Sequence, residues 1–299
     1  MSNFKGVFPI LPTPFLADGV LDVQSLRRLI QYQRKVGVHG VAVMGHMGEA
    51  IHLSESERRL VLETVLEEAA PVDGERGLDV WVGVRAFGTM GCVEQAKMAD
   101  ELGASAVFVA PVNVQNDEVL YQHFKTVAEA ISIPVIIHDY PTSFTVTLSV
   151  DLICRLGRDG ICPYIKQEEY PVGPKTTAIV EQSAGSVGVF GGLGAIYYME
   201  ELDRGALGIA SGFSFSDLLV EIFELFDSGD KDGARALFDK TASLFRYEFQ
   251  PKLGLPLRKH VYLKRGIFET DFVRAPSLKL DQLTKDEFES IIERVGLKL

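Results

Sequence analysis

Eight short apolar runs, each followed by a helical pattern, constrain the fold of this chain more than any other feature. Several runs are continuously apolar, as expected of parallel strands that are covered on both faces. This order predicts a (β/α)8 TIM barrel over residues 1–225 and a C-terminal helical extension over 226–299 packed on it. A doubly wound sheet competes, but no Gly-x-Gly-x-x-Gly motif opens a helix after a strand. The predicted strands cover 7–15, 40–45, 79–86, 106–111, 134–141, 163–168, 186–192 and 205–212.

Helix boundaries between the runs have recognisable signals. Asp22 is predicted to open a helix that closes at Gly37, and Ser54 with Glu57 forms a capping-box pattern. Gly103 stands where a C-cap glycine is expected. Beyond about residue 225 no further strands are predicted. Helical patterns there cover 216–228, 231–247, 252–265 and 282–295.

The net charge and the cysteine content limit which partners the chain can bind and which cellular compartment it occupies. The formal net charge of -11 argues against binding to nucleic acid or to anionic membranes. The N-terminus shows no signal-peptide pattern, and no run of about 18 apolar residues is present. The three cysteines are odd in number and include no Cys-x-x-Cys pair, which favours reduced thiols. We therefore expect a cytoplasmic protein.

In TIM barrels the chemistry concentrates at the C-terminal ends of the strands. Because those ends meet at one face, the residues at or just after the ends of the predicted strands are the candidate site residues. They are His46, Met47, Gly48 and Glu49 after strand two, Arg85 after strand three, Asn113 after strand four, His138, Asp139 and Tyr140 on strand five, Lys166 and Glu168 on strand six, Gly192 after strand seven and Ser211 after strand eight.

Lys166 is unusual because it interrupts the short apolar strand that begins at Tyr164. Side chains alternate along a strand, so Lys166 and Glu168 share one face. If that face is the barrel interior, desolvation lowers the pKa of the lysine, and a neutral amine can attack a ketone to form a Schiff base. A lysine that reaches to the rim, or that pairs with Glu168 or Glu169, is the simpler interpretation of the spacing alone.

Several motifs, in order, resemble the dihydrodipicolinate synthase / N-acetylneuraminate lyase family of class I aldolases. GVFPILPTPFLADGVLD resembles the family's first strand and turn, and GHMGEAIHLSESER its Gly-x-x-Gly-Glu loop and the helix that follows. ELGASAVFVAP resembles the fourth strand and LYQHF the next helix. The resemblance implies a barrel, an imine between Lys166 and pyruvate or another 2-keto acid, no cofactor, and commonly a homotetramer.

The departures from the family pattern point away from dihydrodipicolinate synthesis itself. His46 and Met47 replace the two threonines that would contact the keto-acid carboxylate, although the backbone N–H groups of the turn can still bind one. His138 takes the place of the strand-five tyrosine, and Asn113 that of the second tyrosine. The pattern is more similar to the sugar-acid branch of dehydratases and aldolases.

For the reaction we favour dehydration of a 2-keto-3-deoxy sugar acid. Glu168 shares the face of Lys166, so it can remove a proton from C3 of the imine, with His138 and Tyr140 as further proton-transfer groups. Arg85 either grips a distal carboxylate or is a solvated rim charge. Glu49 is a candidate for structural support of its loop. Aldol or retro-aldol cleavage and dihydrodipicolinate synthase-type condensation, both through Lys166, stay open.

Two hypotheses from other classes also stay open. His46, Glu49, His138 and Glu168 could together hold a divalent metal ion in a metal-dependent lyase, although no His-x-His or His-Glu-x-x-His spacing supports such a site. The chain could instead be a non-catalytic keto-acid-binding protein. Covalent trapping of a keto acid by borohydride separates the imine enzyme from both.

Overall fold

The computed structural model describes residues 4–72, 74 and 76–299, and eight strands in this part of the chain form one sheet. Their order is β1-β8-β7-β6-β5-β4-β3-β2, and the pairs that run from β3 to β8 are parallel. The predicted (β/α)8 TIM barrel is confirmed as a nearly closed barrel with surrounding helices. The strands are β1 Gly6–Val7, β2 Gly40–Val43, β3 Asp79–Val84, β4 Ala106–Val109, β5 Val135–Asp139, β6 Tyr164–Gln167, β7 Gly188–Gly191 and β8 Gly208–Ile209.

The first and last strands are much shorter than the runs that predicted them. β1 covers two residues instead of 7–15, because the prolines of PILPTP (9–14) have no N–H to donate to a ladder. An isolated parallel bridge between Ile10 and Ala42 continues the pairing beyond β1. β8 is also two residues long, and a Cβ on Gly208 would lie 1.9 Å from the carbonyl oxygen of Gly6. Only glycine permits this approach.

The predicted helix ends are confirmed at the positions where capping side chains were expected. Asp22 caps the first helix through the N–H of Ser25, and the capping box of Ser54 and Glu57 is complete in both directions. Gly103 ends its helix with a φ of 94°. The helices are α1 Val23–Lys35, α2 Glu55–Ala69, α3 Thr89–Leu102, α4 Asp117–Glu129, α5 Pro141–Phe144, α6 Val150–Arg158, α7 Val172–Ser183, α8 Tyr198–Asp203, α9 Ser216–Asp227, α10 Lys231–Glu248, α11 Gly254–Lys264 and α12 Gln282–Arg294.

An aromatic cluster fills the space near the start of β6. Tyr164 lies 5.2 Å from Phe4 and 6.2 Å from Phe190, and Trp81 lies 5.2 Å from Phe4 and 5.0 Å from Phe190, as measured between ring centroids. Tyr164 and Lys166 are two residues apart on one strand and therefore share a face. The cluster therefore lies on the face of β6 to which Lys166 also belongs, on the N-terminal side of the lysine.

The described part of the chain consists of two compact units. Among the described residues, the first contains 4–6, Asp79–Gly192 and Tyr197–Ala210, and the second contains Val7–Leu78, Leu193–Ile196 and Ser211–Leu299. The predicted division at residue 225 stays a prediction. Among the described residues, no helix combines the length and the apolar character needed to cross a membrane.

Candidate active site

Lys166 is buried in the first unit, with 4% of its surface exposed. Its strand pairs in parallel with β5, and in that register Lys166 lies directly opposite His138. Glu168 follows the strand, and its N–H donates to the carbonyl of Asp139. The sheet register therefore brings His138 next to Lys166 and Glu168, which follow it by 28 and 30 residues in the sequence. Lys166 and Glu168 are themselves two residues apart.

These three side chains form one hydrogen-bonded cluster. Nζ of Lys166 donates to Oε2 of Glu168 in a close ion pair, and Nε2 of His138 lies 3.0 Å from the same oxygen. Nζ and Nε2 are 3.3 Å apart. The lysine is therefore paired with Glu168, and its role in forming an imine stays a prediction.

Electrostatics inside the cluster favour an ionised carboxylate. Burial alone would raise the pKa of Glu168, but the Lys166 ammonium and the hydrogen bond from His138 outweigh it and lower that pKa to about 2. A carboxylate that is buried without such partners would be very costly. Glu168 is therefore charged across the physiological pH range and accepts two hydrogen bonds.

Aromatic rings fix the position of His138. Its ring lies 5.3 Å from Phe108 and 4.9 Å from Phe144, both edge to face. Tyr140 is stacked nearly parallel to it, with ring centroids 6.3 Å apart and an interplanar angle of 12°. Of the four predicted catalytic residues, three are in direct contact and Tyr140 lies beside His138.

Arg85 and Asn113 lie at the exposed edge of this group. The guanidinium of Arg85 sits 4.9 Å from the centroid of Phe144, the same ring that packs on His138. Oδ1 of Asn113 accepts a hydrogen bond of 3.2 Å from the hydroxyl of Thr145. Two predicted substrate-binding side chains are thus exposed on loops next to the aromatic surroundings of His138.

The neighbouring residue Asp139 points away from this cluster, as alternation along β5 predicts, but it is fully buried. Nζ of Lys175 donates to Oδ2 of Asp139 at 2.7 Å and to the carbonyl of Leu148 at 2.8 Å, and it also pairs with Glu169. Burial raises the pKa of Asp139 to about 6, against the effect of Lys175. Sequence reasoning assigned nothing to Lys175, which ties together the ends of β5 and β6.

Gly192 contacts the cluster directly. A Cβ at this position would lie 2.4 Å from Cγ of Glu168, so a side chain here would displace the carboxylate. The N–H of Gly192 donates to Oε1 of Glu201 at 3.3 Å. Sequence reasoning missed Glu201, although Tyr198, Glu201 and Leu202 follow the i, i+3, i+4 spacing of a buried helix face.

In the second unit, residues 46–48 form a 3₁₀ turn after β2. His46 is exposed, Met47 is half-buried and Gly48 is buried. The carbonyl of Gly48 accepts a hydrogen bond of 2.7 Å from the hydroxyl of Thr13, and a Cβ on Gly212 would lie 2.7 Å from Cγ of Met47. Neighbouring segments thus hold this turn from two sides.

Glu49 ends the turn with a φ of 53° and is buried. Its carboxylate accepts hydrogen bonds from Nζ of the fully buried Lys259 and, at 3.0 Å, from the N–H of Arg274. Nζ of Lys259 also donates to the carbonyl of Phe272 at 2.8 Å. Sequence reasoning missed both cationic residues, because they stand 210 and 225 positions from Glu49 along the chain.

Ser211 is buried and engaged in local backbone structure. Its carbonyl accepts a hydrogen bond of 2.8 Å from the N–H of Ile10, and its hydroxyl lies 3.3 Å from the N–H of Phe213. These contacts place the hydroxyl in a turn after β8. A contact between Ser211 and a substrate stays a prediction.

A metal centre built on His46, Glu49, His138 and Glu168 was one of the alternatives. Across residues 4–72, 74 and 76–299, no group of three or more histidine, cysteine, aspartate or glutamate side chains is arranged to hold a metal ion. The described residues therefore offer no ligand set to the metal-dependent hypothesis.

Comparison with known proteins agrees with the resemblance seen in the motifs. Residues 3–295 match the sequence model of the dihydrodipicolinate synthetase family. An L-2-keto-3-deoxyarabonate dehydratase from Azospirillum brasilense is 26% identical over 299 residues, covering 97% of this chain and 94% of that protein. A 4-hydroxy-tetrahydrodipicolinate synthase from Rhodopseudomonas palustris is 29% identical over 309 residues, covering 98% and 97%.

Solved structures agree with this match. The crystal structure of a dihydrodipicolinate synthase from Rhodopseudomonas palustris superimposes with a TM-score of 0.91 at 32% sequence identity, covering 97% of both chains. The similar proteins thus include both a dehydratase and synthases, at comparable levels of identity.

Proposed function

The chain belongs to the dihydrodipicolinate synthetase family, and from this premise we propose that it is a lyase that forms an imine between Lys166 and a 2-keto acid. We further propose that its reaction is the dehydration of a 2-keto-3-deoxy sugar acid. The observation that carries the proposal is the buried cluster in which Lys166, Glu168 and His138 are within hydrogen-bonding distance of one another.

Imine formation needs a neutral amine. The carboxylate of Glu168 lies beside Nζ of Lys166 and can accept its proton. After Glu168 has taken a proton from Nζ, the amine attacks C2 of the keto acid to give a carbinolamine. Glu168 returns the proton to the carbinolamine hydroxyl, which leaves as water, and a protonated imine remains. That step removes the ammonium that was paired with Glu168, so the carboxylate is left beside the new iminium group.

Glu168 is then the base for the next step. The iminium withdraws electrons from C3, and the carboxylate removes a C3 proton to give an enamine. The enamine expels the C4 hydroxyl, which leaves as water after it takes a proton from a neighbouring acid. His138 is the acid that we propose, because its Nε2 lies 3.0 Å from Oε2 of Glu168 and the two can exchange a proton. Tyr140 assists from its stacked position on His138.

Retro-aldol cleavage is the second candidate, because it starts from the same imine and leaves the enamine of pyruvate on Lys166. It needs a base at the C4 hydroxyl instead of an acid, and the bond between C3 and C4 breaks to give pyruvate and an aldehyde. In this chain the family's strand-five tyrosine is replaced by His138, which is already bonded to Glu168. This arrangement favours proton removal at C3 and supports dehydration.

We propose that the exposed loops after β3, β4 and β5 bind the distal part of the substrate. Arg85 offers guanidinium N–H groups while its flat face rests on Phe144. Asn113 and Thr145, which are bonded to each other, offer an amide and a hydroxyl. These groups suit a polyhydroxylated chain, and Arg85 additionally suits an anionic end.

One further substrate contact rests on the resemblance to the family. It assigns the turn of His46, Met47 and Gly48 to the keto-acid carboxylate, through backbone N–H groups where the two threonines are missing. Gly192 and Ser211 are proposed as substrate contacts because each follows a barrel strand, where the chemistry of such barrels concentrates. We propose no cofactor.

The experiment that tests the function is a product analysis. The chain is incubated with L-2-keto-3-deoxyarabonate, and substrate and products are followed by mass spectrometry and NMR. Loss of one water from the substrate supports a dehydratase. Pyruvate together with an aldehyde as the sole products would show a retro-aldol lyase, and no turnover of this or related 2-keto-3-deoxy acids would contradict both.

Assembly and compartment are also proposals. We propose a homotetramer, as the family resemblance implies, and two large apolar side chains close to each other in the chain support self-association. Phe87 is fully exposed and Met90 is 65% exposed. All three cysteines are buried free thiols, which supports a reducing, cytoplasmic location.

A further inference from the structure

Glu201 is a buried carboxyl group near the candidate active site to which the proposed chemistry gives no task. It lies on α8 with 1% of its surface exposed, and its Oε2 has no hydrogen-bond partner among the described residues. Burial raises the pKa of this carboxyl well above its usual range, and the negative charge of Glu168 raises it further, while the hydrogen bond from Gly192 opposes the rise. The surroundings of Glu201 therefore favour the neutral form of its carboxyl.

Two adjacent glycines separate Glu201 from Glu168. A Cβ on Gly191 would lie 2.0 Å from Oε2 of Glu201, and a Cβ on Gly192 would lie 2.4 Å from Cγ of Glu168. Each glycine therefore leaves the space that one carboxyl side chain occupies. The two carboxyls pack on successive residues of one backbone segment, which passes between them.

One hydrogen bond links this backbone segment to Glu201. The N–H of Gly192 donates to Oε1 at 3.3 Å, directly after the last residue of β7. On its other side Gly192 contacts the side chain of Glu168, which is hydrogen-bonded to both Lys166 and His138. A shift of Gly192 by a few tenths of an ångström would change the room available to Glu168.

We propose that Glu201 is a positioning residue for the reaction: by accepting the N–H of Gly192 it fixes that glycine, and through it the side chain of Glu168, against Lys166 and His138. This inference rests on the proposed function, because it assigns Glu201 a role in placing the base that removes the C3 proton. Glu201 itself does not contact the reacting atoms.

Oε2 of Glu201, which has no hydrogen-bond partner among the described residues, helps to distinguish a positioning role of Glu201 from a purely structural role. A buried polar atom without a partner destabilises the folded state, so an apolar residue at this position should not weaken the fold through the loss of Oε2. Loss of Oε1, in contrast, leaves the N–H of Gly192 without its acceptor. Removal of this acceptor should impair proton removal at C3 while imine formation on Lys166 is kept.

The test uses the full chain and three variants. Glu201→Leu removes the oxygen that accepts the N–H of Gly192. Glu201→Asp shortens the side chain by one methylene and so moves this oxygen away from Gly192. Glu201→Gln keeps an oxygen that can accept the N–H of Gly192. The readout is the exchange of the C3 protons of pyruvate in D₂O by NMR, which reports imine formation followed by proton removal. Borohydride trapping of pyruvate on Lys166 measures the imine alone.

We expect the Leu and Asp variants to trap pyruvate as the wild type does but to exchange its protons at least about tenfold more slowly, since a misplacement of 1 Å can cost about 10²-fold. The Gln variant should stay within about threefold of the wild type because its hydrogen bond is kept. If the Leu variant does not fold, the Asp variant decides.

Wild-type exchange rates in a folded Leu or Asp variant would overturn the proposal. A Gln variant as slow as the Leu variant would overturn it too, since the acceptor would then not be the relevant feature. If the wild type itself fails to trap pyruvate on Lys166, the proposed function fails and not this inference alone.

Discussion

Nε2 of His138 lies 3.0 Å from Oε2 of Glu168, so a basic and an acidic side chain from neighbouring strands share one hydrogen bond next to Lys166. The carboxylate has two donors on one oxygen, which fixes its position relative to the lysine. Proton transfer between these groups requires no movement of the backbone. This contact underlies the proposal that Glu168 first deprotonates the lysine and later removes a proton from its imine.

The first prediction concerns the base. Glu168→Gln removes the carboxylate that accepts the C3 proton, so exchange of the C3 protons of pyruvate should fall by about 10²–10⁴-fold, the usual contribution of a general base. Trapping of pyruvate on Lys166 by borohydride should persist. The matched control is Glu169→Gln, because that neighbouring carboxylate pairs with Lys175 instead. Unchanged exchange in Glu168→Gln would remove Glu168 from the mechanism.

The second prediction concerns acid stability. Glu168 binds its proton more weakly in the folded protein, with a pKa of about 2, than in the unfolded chain, where the value is 4.5. The unfolded chain therefore binds more protons between pH 4.5 and 2, and the free energy of unfolding falls as the pH drops through that window. The full difference is about 3 kcal/mol and is present above pH 4.5.

Urea unfolding at several pH values between 6 and the acid limit of the folded state measures this effect. Glu168→Gln lacks the titrating group, so its stability should fall less steeply with decreasing pH than that of the wild type. Parallel pH dependence in the two proteins would show that the Glu168 carboxylate is not stabilised as its contacts indicate.

The third prediction concerns the buried ion pair of Glu49 and Lys259. Lys259→Met leaves the Glu49 carboxylate buried without its ammonium partner, so the free energy of unfolding should fall by about 3–5 kcal/mol. The double variant Glu49→Leu/Lys259→Met removes both charges and should be less destabilised than the sum of the two single variants. Urea unfolding of the wild type, the two single variants and the double variant completes a double-mutant cycle. Additive effects would contradict the buried pairing.

The fourth prediction concerns assembly. Light scattering at micromolar concentration should report a homotetramer, and Phe87→Asp should shift the chain towards smaller species if the exposed ring lies in an interface between copies. Leu278→Asp is a matched control, since Leu278 is also exposed but lies in the segment before α12. A monomeric wild type would count against the assembly proposal.

Local sequence patterns were sufficient for the barrel and for the centre of the site. Lys166 stood out as a charge inside an apolar strand, and the alternation of side chains placed Glu168 on the same face. His138 entered the predicted site because it ends the fifth predicted strand and takes the place of the family's strand-five tyrosine, and in the structure parallel register sets it opposite Lys166. Each of these inferences needs contacts within a strand or between consecutive strands, which hydrophobic periodicity reports.

The contacts that the sequence did not reveal are of two kinds. Glu201 stands in Glu-Glu-Leu-Asp, a stretch that resembles a solvated helix surface, and its burial depends on how a six-residue helix packs. Lys259 and Arg274 contact Glu49 across more than 200 residues, a distance that local patterns do not span. The shortness of β1 had a visible cause in its prolines, whose missing N–H groups limit strand pairing.

Covalent trapping of pyruvate followed by peptide mapping tests imine formation on Lys166 most directly. Borohydride should add one keto-acid equivalent per chain, the adduct should map to Lys166, and Lys166→Ala should abolish it. Lys175→Ala, which removes another largely buried, ion-paired lysine of the same unit, should still be labelled at Lys166. An adduct that persists in Lys166→Ala, or no adduct in the wild type, would contradict the claim that this lysine forms the imine.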